Sequence, residues 1–386
     1  MSSHRKGPAI RPIKLLANTA LATIFVSNDN IYTYCQTTDC ELVEIPGKIE
    51  TLEKGSLPTY APAGGLMFIS ETKEKIETAA KRFTPLAATP LKYWKLTISF
   101  AKRYLFYVDC NDYLRDVYED SGKWCPGSLY SSLKLKCAPY SKLAAVTYRN
   151  ALGADFIFLY YQDCDDSGNI RLCGLSHEGW TCGRPPLSDP PLWGTAMTAV
   201  LPQPGIELKS DTQDPVVFFQ QTSLELSSSQ DDGTTDYTKY DIRDKTQALS
   251  GHAYIAAVDD KIDCWCFYTS DQNDIQRIRI DANGKLTRPV CVGLDRIPIP
   301  ASPVAAVITA DSPQKIVLFY LLHDTDAFQG WTNTFEGEVN DTEEYRRMTR
   351  PFDGEIKIFA STLTRITPDR WSASSGKLVV ESLVAC

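Results

Sequence analysis

The feature that most constrains this chain is a short strand of small residues that returns along its length. It reads Leu86-Ala87-Ala88-Thr89, Leu143-Ala144-Ala145-Val146, Met197-Thr198-Ala199-Val200, Ile255-Ala256-Ala257-Val258 and Val304-Ala305-Ala306-Val307, with a weaker copy at Leu16-Ala17-Asn18-Thr19. A spacing of roughly 50 to 70 residues points to a repeat architecture in which each unit buries its faces against its neighbours. Small side chains suit strands that crowd around a common axis, where bulky ones would clash. An aromatic strand follows each good copy: Tyr104-Leu105-Phe106-Tyr107, Phe158-Leu159-Tyr160-Tyr161, Val217-Phe218-Phe219, Trp265-Cys266-Phe267-Tyr268 and Leu318-Phe319-Tyr320. A turn rich in Asp, Asn and Gly comes next, then a third strand, and two repeats close on Gly122-Lys123-Trp124 and Glu178-Gly179-Trp180.

Short strands separated by turn residues, with almost no helical periodicity, indicate an all-β chain. The expected fold is a six-bladed β-propeller of four-stranded antiparallel blades. It spans residues 15–386 behind a flexible tail at 1–14. Only Glu71 to Arg82 reads as a short helix or, equally, as a blade-connecting turn. Two long insertions are expected near 227–250 and 323–354, the first a mobile loop and the second a lid or surface excursion.

Charge and cysteine usage then narrow the partners. A net charge of −8 without a basic stripe argues against nucleic acid and anionic membranes. No apolar run approaches the ~20 residues of a membrane span, and Met1 to Val26 lacks a convincing leader, so a cytoplasmic protein is expected. The 12 cysteines are scattered and form no CxxC pair, which reads as reduced core residues rather than a disulfide framework or metal site. Asn340-Asp341-Thr342 is a lone sequon. Asp163 to Ile170 imitates the start of a calcium loop but has Gly174 where the twelfth-position acid belongs, so it reads as a polar turn. Of the histidines, His4 lies in the tail and His177 in a hairpin turn, whereas His252 begins an inner strand and His323 ends a second strand. No familiar hydrolase, phosphate-loop or dinucleotide motif is present, and no cofactor is expected.

The stretch Phe83 to Gly183 resembles two successive blades of the Aleuria-type fungal fucose-specific lectins. The matching elements are F-T-P-L-A-A at Phe83, G-K-W-C-P-G at Gly122, S-K-L-A-A-V-T-Y at Ser141, and L-Y-Y-Q at Leu159 running to G-W-T-C-G at Gly179. The resemblance implies sugar sites between blades, each with an Arg from a second strand, a Glu from a third and a stacking aromatic. The Arg position falls at about Thr23, Leu105, Phe158, Val216, Cys264 and Val317, none of which is Arg. The Glu position falls near Thr33, Asp116, Leu172 and Arg277, of which Asp116 alone keeps the charge. Degenerate sugar sites are therefore expected.

Three functions follow as expectations. The chain is also similar in type to the lectin-like hetero-Diels–Alderases of fungal tropolone sesquiterpenoid pathways. That resemblance implies a cofactor-free pericyclase joining a tropolone o-quinone methide to a humulene-type terpene. Such chemistry asks for orientation of two apolar reactants and one hydrogen-bond donor. Its walls would be Leu105, Phe158, Leu172, Trp180, Val216, Trp265 and Val317, and its acids or donors His252, His323 and Arg277. The alternatives are a lectin for fucose or another glycan, and a non-catalytic protein-binding propeller. The oligomeric state stays open, with a homodimer among the options.

Overall fold

The computed structural model describes residues 12–13, 16, 19–26, 30–37, 39–50, 59–62, 67–68, 80–95, 98–149, 155–165, 168–182, 190–201, 215–222, 226–230, 238–240, 253–259, 264–270, 272, 274–280, 289–291, 303–308, 315–321, 328–334, 354–358 and 363–364. His252 and His323 lie outside them, as does nearly all of the helix expected at Glu71–Arg82.

The described strands form six antiparallel sheets, taken in chain order as blades 1 to 6. The inner strands are Ala22–Phe25, Ala87–Lys95, Leu143–Arg149, Met197–Val200, Ile255–Asp259 and Val304–Ile308. Each pairs with a second strand, respectively Asn30–Gln36, Ile98–Val108, Asp155–Gln162, Val216–Gln220, Cys264–Thr269 and Lys315–Leu321. Third and fourth strands complete every blade. Each inner strand packs against the next, and the last, Val304–Ile308, packs against the first, so the ring closes. This is the six-bladed β-propeller that the repeats imply. Pro12–Ile13 also pairs with Leu363–Thr364, so part of the expected tail joins a strand from the other end of the chain.

Between blades lie separate apolar cores, because alternate residues of a strand face opposite neighbours. Leu105, Tyr107 and Trp124 pack on blade 1 residues such as Tyr34 and Leu42. Tyr104, Phe106 and Val108 face the other way, onto Leu159, Tyr161 and Trp180 of blade 3. The aromatic second strands thus supply two cores at once.

A hydroxyl holds each of the first four blades in register. The backbone N–H of Gln36, Val108, Gln162 and Gln220 donates to Thr19, Thr84, Ser141 and Thr195 at 2.8, 2.8, 2.9 and 2.7 Å. In each case the hydroxyl lies three residues before the second small position of the inner strand. This corrects the first repeat: Leu16-Ala17-Asn18-Thr19 is the lead-in, and the copy is Leu21-Ala22-Thr23-Ile24. Gln36 and Gln162 also staple their blade to the next one. Gln162 Nε2 donates to Leu192 O at 3.1 Å, and its Oε1 accepts from Gly194 N at 2.9 Å. Gln36 makes the same pair of bonds to Lys81 O and Phe83 N.

The expected insertions contain blade strands. Leu226–Gln230 and Thr238–Tyr240 are the third and fourth strands of blade 4, and Phe328–Thr334 and Gly354–Ile358 are those of blade 6. Their Ser, Thr, Gln and Gly content hid them, since pairing rather than side-chain propensity makes them strands. The turn at Asp163 connects two strands of blade 3, with Arg171 Nε 2.9 Å from Asp163. Cys35, Cys173 and Cys266 are buried, and burial pushes their thiols well up. Among the described residues no helix is long and apolar enough to cross a membrane, and no cluster of potential metal ligands occurs.

Candidate functional site

The register fixes which residues are equivalent from blade to blade. Counting back from Gln36, Val108, Gln162 and Gln220, the second-strand position assigned to Arg is Tyr32, Tyr104, Phe158 and Val216. The pairings Ile255↔Tyr268 and Val304↔Tyr320 extend it to Trp265 and Val317. Thr23, Leu105 and Cys264 were therefore misplaced: Thr23 is on an inner strand, and the other two are one residue out, so their side chains take the opposite face. No Arg stands at the corrected positions either.

The third-strand acid position follows from Tyr34↔Glu44, Phe106↔Asp116, Tyr160↔Leu172, Phe218↔Ser228, Phe267↔Arg277 and Phe319↔Gly330. Thr33 was the wrong choice for blade 1. The residue there is Glu44, so two acids survive, Glu44 and Asp116. The sequence carried a signal for it: Asp39 to Glu44 has the turn-then-strand order of Asn111 to Asp116.

Glu44 heads a charged cluster in the cleft between blades 1 and 2. It is wholly buried. The guanidinium facing it comes from blade 2, from Arg103 on the strand Ile98–Val108. Arg103 Nε lies 3.2 Å from Glu44 Oε2, and Nη2 donates to Oε1 at 3.3 Å. A second carboxylate, Glu119 of the same blade, is 3.8 Å from Nη1. The Arg103 guanidinium rests 3.9 Å over the Tyr32 ring, which occupies the position where the resemblance would place an Arg. Trp124, on the fourth strand Lys123–Pro126, stands edge-on to Tyr34 at 5.8 Å. Arg103 thus restores across the cleft the charge that position 32 lacks.

Electrostatics make this cluster responsive. Burial lifts the Glu44 carboxyl above its ordinary range, with Arg103 opposing. Burial disfavours the Arg103 charge, but Glu44, Tyr34, Tyr32 and Glu119 together more than offset it. Two carboxylates share one guanidinium, so the cleft holds excess acceptor capacity beside an aromatic face. Hydroxyl-rich ligands offer the complementary donors. Arg103 and Glu119 keep 11% of their side chains open to solvent, which sets a narrow aperture.

The cleft between blades 2 and 3 keeps its acid but is closed. Asp116 Oδ1 accepts from Leu129 N at 2.9 Å, at the start of the short helix Leu129–Leu133. The adjoining Gly127 lies so close that a Cβ there would overlap the Asp116 carboxylate. Burial pushes Asp116 up to about 6, opposed by the N–H groups of Leu129, Asp116 itself and Ser128, and by the Trp180 indole. Arg115 is ion-paired to Asp109 at 2.7 Å and lies over Tyr130, which holds this helix in place.

The residues expected to wall a reaction pocket do not share one. Leu105 faces blade 1, Trp180 faces blade 2, and Phe158 and Leu172 face blade 4. Val216 belongs to the core between blades 4 and 5, and Trp265 to that between 5 and 6. The side chain of Val317 is outside the described set. Arg277 lies 5.9 Å from the Trp265 ring, and its buried Nε has no hydrogen-bond partner.

No family model matches this sequence, and no curated protein matches it. Solved structures do. A fucose-specific lectin from Aleuria aurantia aligns over 83% of this chain and 94% of its own at 19% identity, with a TM-score of 0.63. The SapL1 lectin in complex with α-methyl fucoside covers 85% of this chain and 99% of its own at 19% identity, with a TM-score of 0.60. A lectin from Burkholderia pseudomallei, BP39L, aligns at 16% identity over 84% and 83%, with a TM-score of 0.54. At such identities the likeness establishes the fold alone, a six-bladed β-propeller.

Proposed function

We propose that this protein is a glycan-binding propeller whose recognition centre is the cleft between blades 1 and 2. The observation that carries the reading is the convergence of Glu44, Arg103 and Trp124 there: a carboxylate, a guanidinium and an indole. A sugar gives up many hydrogen bonds to water, and oriented charged partners are what recover them. Glu119 accepts from hydroxyls at the aperture, Arg103 donates to a ring or hydroxyl oxygen while Glu44 holds the guanidinium from behind, and the indole covers an apolar face. The guanidinium enters from the neighbouring blade, so the hydroxyl geometry read differs from that of an Arg at position 32. The narrow aperture favours a terminal sugar residue. The fucose-specific lectin and the lectin in complex with α-methyl fucoside among the solved neighbours support the class of ligand. Glycan-array binding by the full chain, lost in Arg103→Ala and weakened in Trp124→Phe, is the expected result. Binding unchanged in both variants removes this cleft from recognition.

A second reading is the cofactor-free cycloaddition of a tropolone quinone methide to a humulene-type terpene. It is favoured by one observation, the unpaired buried Nε of Arg277 beside Trp265, a ring that Arg279 also approaches, a donor for a developing oxyanion. Incubating the protein with both reactants tests it. A single enantiomer formed above the protein-free rate supports it, and racemic adduct at the control rate sinks it.

A further inference from the structure

The axis of the propeller is hollow, and its lining is ordered in three tiers contributed by the six inner strands. The middle tier consists of Thr23, Ala88, Ala145, Ala199, Ala257 and Ala306, each partly exposed. On one side of it stand bulkier side chains such as Leu21, Leu86, Leu143 and Met197. On the other stand Phe25, Pro90, Leu201 and Ile308, with Asp259 the one ionisable residue among the described lining. Five methyl groups in a ring between two bulkier tiers leave a chamber, and the channel volume is ≈ 570 Å³. That falls inside the ~300–1,000 Å³ range of small-molecule sites, which are mostly apolar with few polar groups. The Thr198 hydroxyl accepts from Ala257 N at 3.1 Å, and the aliphatic side chains and methyl groups of the lining offer burial to an apolar molecule of matching size.

We infer that the axial chamber is a second ligand site, separate from the blade 1–blade 2 cleft, and that it takes a compact uncharged apolar molecule. The middle tier carries the smallest side chains of the lining, a single methyl at five of its six positions. Blades 3 and 6 stand opposite each other in the ring, so Ala145 and Ala306 face across it. Replacing both by leucine fills the chamber from two sides and leaves the polar cleft between blades 1 and 2 untouched; each alanine also borders one inter-blade core, Ala145 that of blades 2 and 3 and Ala306 that of blades 5 and 6.

The test uses the full chain and the neutral dye N-phenyl-1-naphthylamine, whose emission rises in apolar surroundings. Saturable enhancement is expected for the native protein, displaced by an uncharged hydrocarbon competitor. In Ala145→Leu/Ala306→Leu the dye affinity falls at least tenfold, while cooperative unfolding and glycan-array binding are retained. A smaller intrusion, Ala145→Val alone, serves if the double variant fails to fold, with an intermediate loss expected. Dye binding that is absent from the native protein, or equal in native and filled variants, overturns the proposal. Loss of glycan binding with intact dye binding would strike the lectin reading alone.

Discussion

Asp116 makes the folded state pH-dependent in a direction opposite to that of most carboxylates. Its folded pKa is raised from 3.8 to about 6, chiefly by burial. The fold therefore binds this proton more tightly than the unfolded chain, and stability falls as pH rises between the two values. The contribution is fully present below about pH 4 and lost above about pH 6. A shift of about 2 units corresponds to about 3 kcal/mol at 1.36 kcal/mol per unit. Asp116→Asn cannot ionise and removes that slope, while its Oδ1 can still accept from Leu129 N. The amide also puts a donor where the carboxylate accepts, a pH-independent cost of about 1–3 kcal/mol. The observable is consequently the change in the mutant-minus-native difference with pH, which cancels the constant term. Between pH 4 and pH 7.5 the Asn variant should gain about 2 to 3 kcal/mol relative to the native chain, measured by urea unfolding at several pH values. Parallel profiles for the two proteins would refute the argument and mean that the helix end at Leu129 fully solvates the carboxylate.

Other consequences are sharp enough to measure. Arg103→Met leaves Glu44 buried without its guanidinium, and should cost about 3–5 kcal/mol at neutral pH, as breaking a buried pair does. Protonation of Glu44 at low pH should recover part of that loss, seen as a smaller difference in denaturant midpoint. Gly127→Ala forces a Cβ into the Asp116 carboxylate and should destabilise by about 1–3 kcal/mol; the double change Gly127→Ala/Asp116→Ala should lose less than the sum of its parts. Gln162→Leu strands Gly168 O within blade 3 and Leu192 O and Gly194 N at the blade 3–blade 4 junction, with a loss of about 2–4 kcal/mol for three broken side-chain bonds and faster hydrogen exchange confined to that region. Thiol labelling of the native protein should modify exposed Cys110, Cys164, Cys182 and Cys291 quickly and spare buried Cys35, Cys173 and Cys266 until unfolding.

The propeller was legible because its signal is periodic and local. Small inner strands, aromatic second strands and turn residues recur, and each makes sense within one blade. The charge-bearing cleft was not legible, for two physical reasons. Strand alternation means that one residue of slippage turns a side chain to the other face, so Leu105 seemed to occupy the place that Tyr104 holds. Compensation across a cleft also leaves no trace in a single repeat. Arg103 sits on blade 2, two residues from the expected position in its own repeat, and acts on Glu44 of blade 1, 59 residues away. Chain order fixed the blades and the number of them, through short-range patterning that needs no neighbour to be read. Which acid meets which base, which cleft is plugged by the helix after Gly127, and how wide the axis stands open depend on how one blade lands on the next. Those are properties of packing between units distant in sequence, and only the assembled ring determines them.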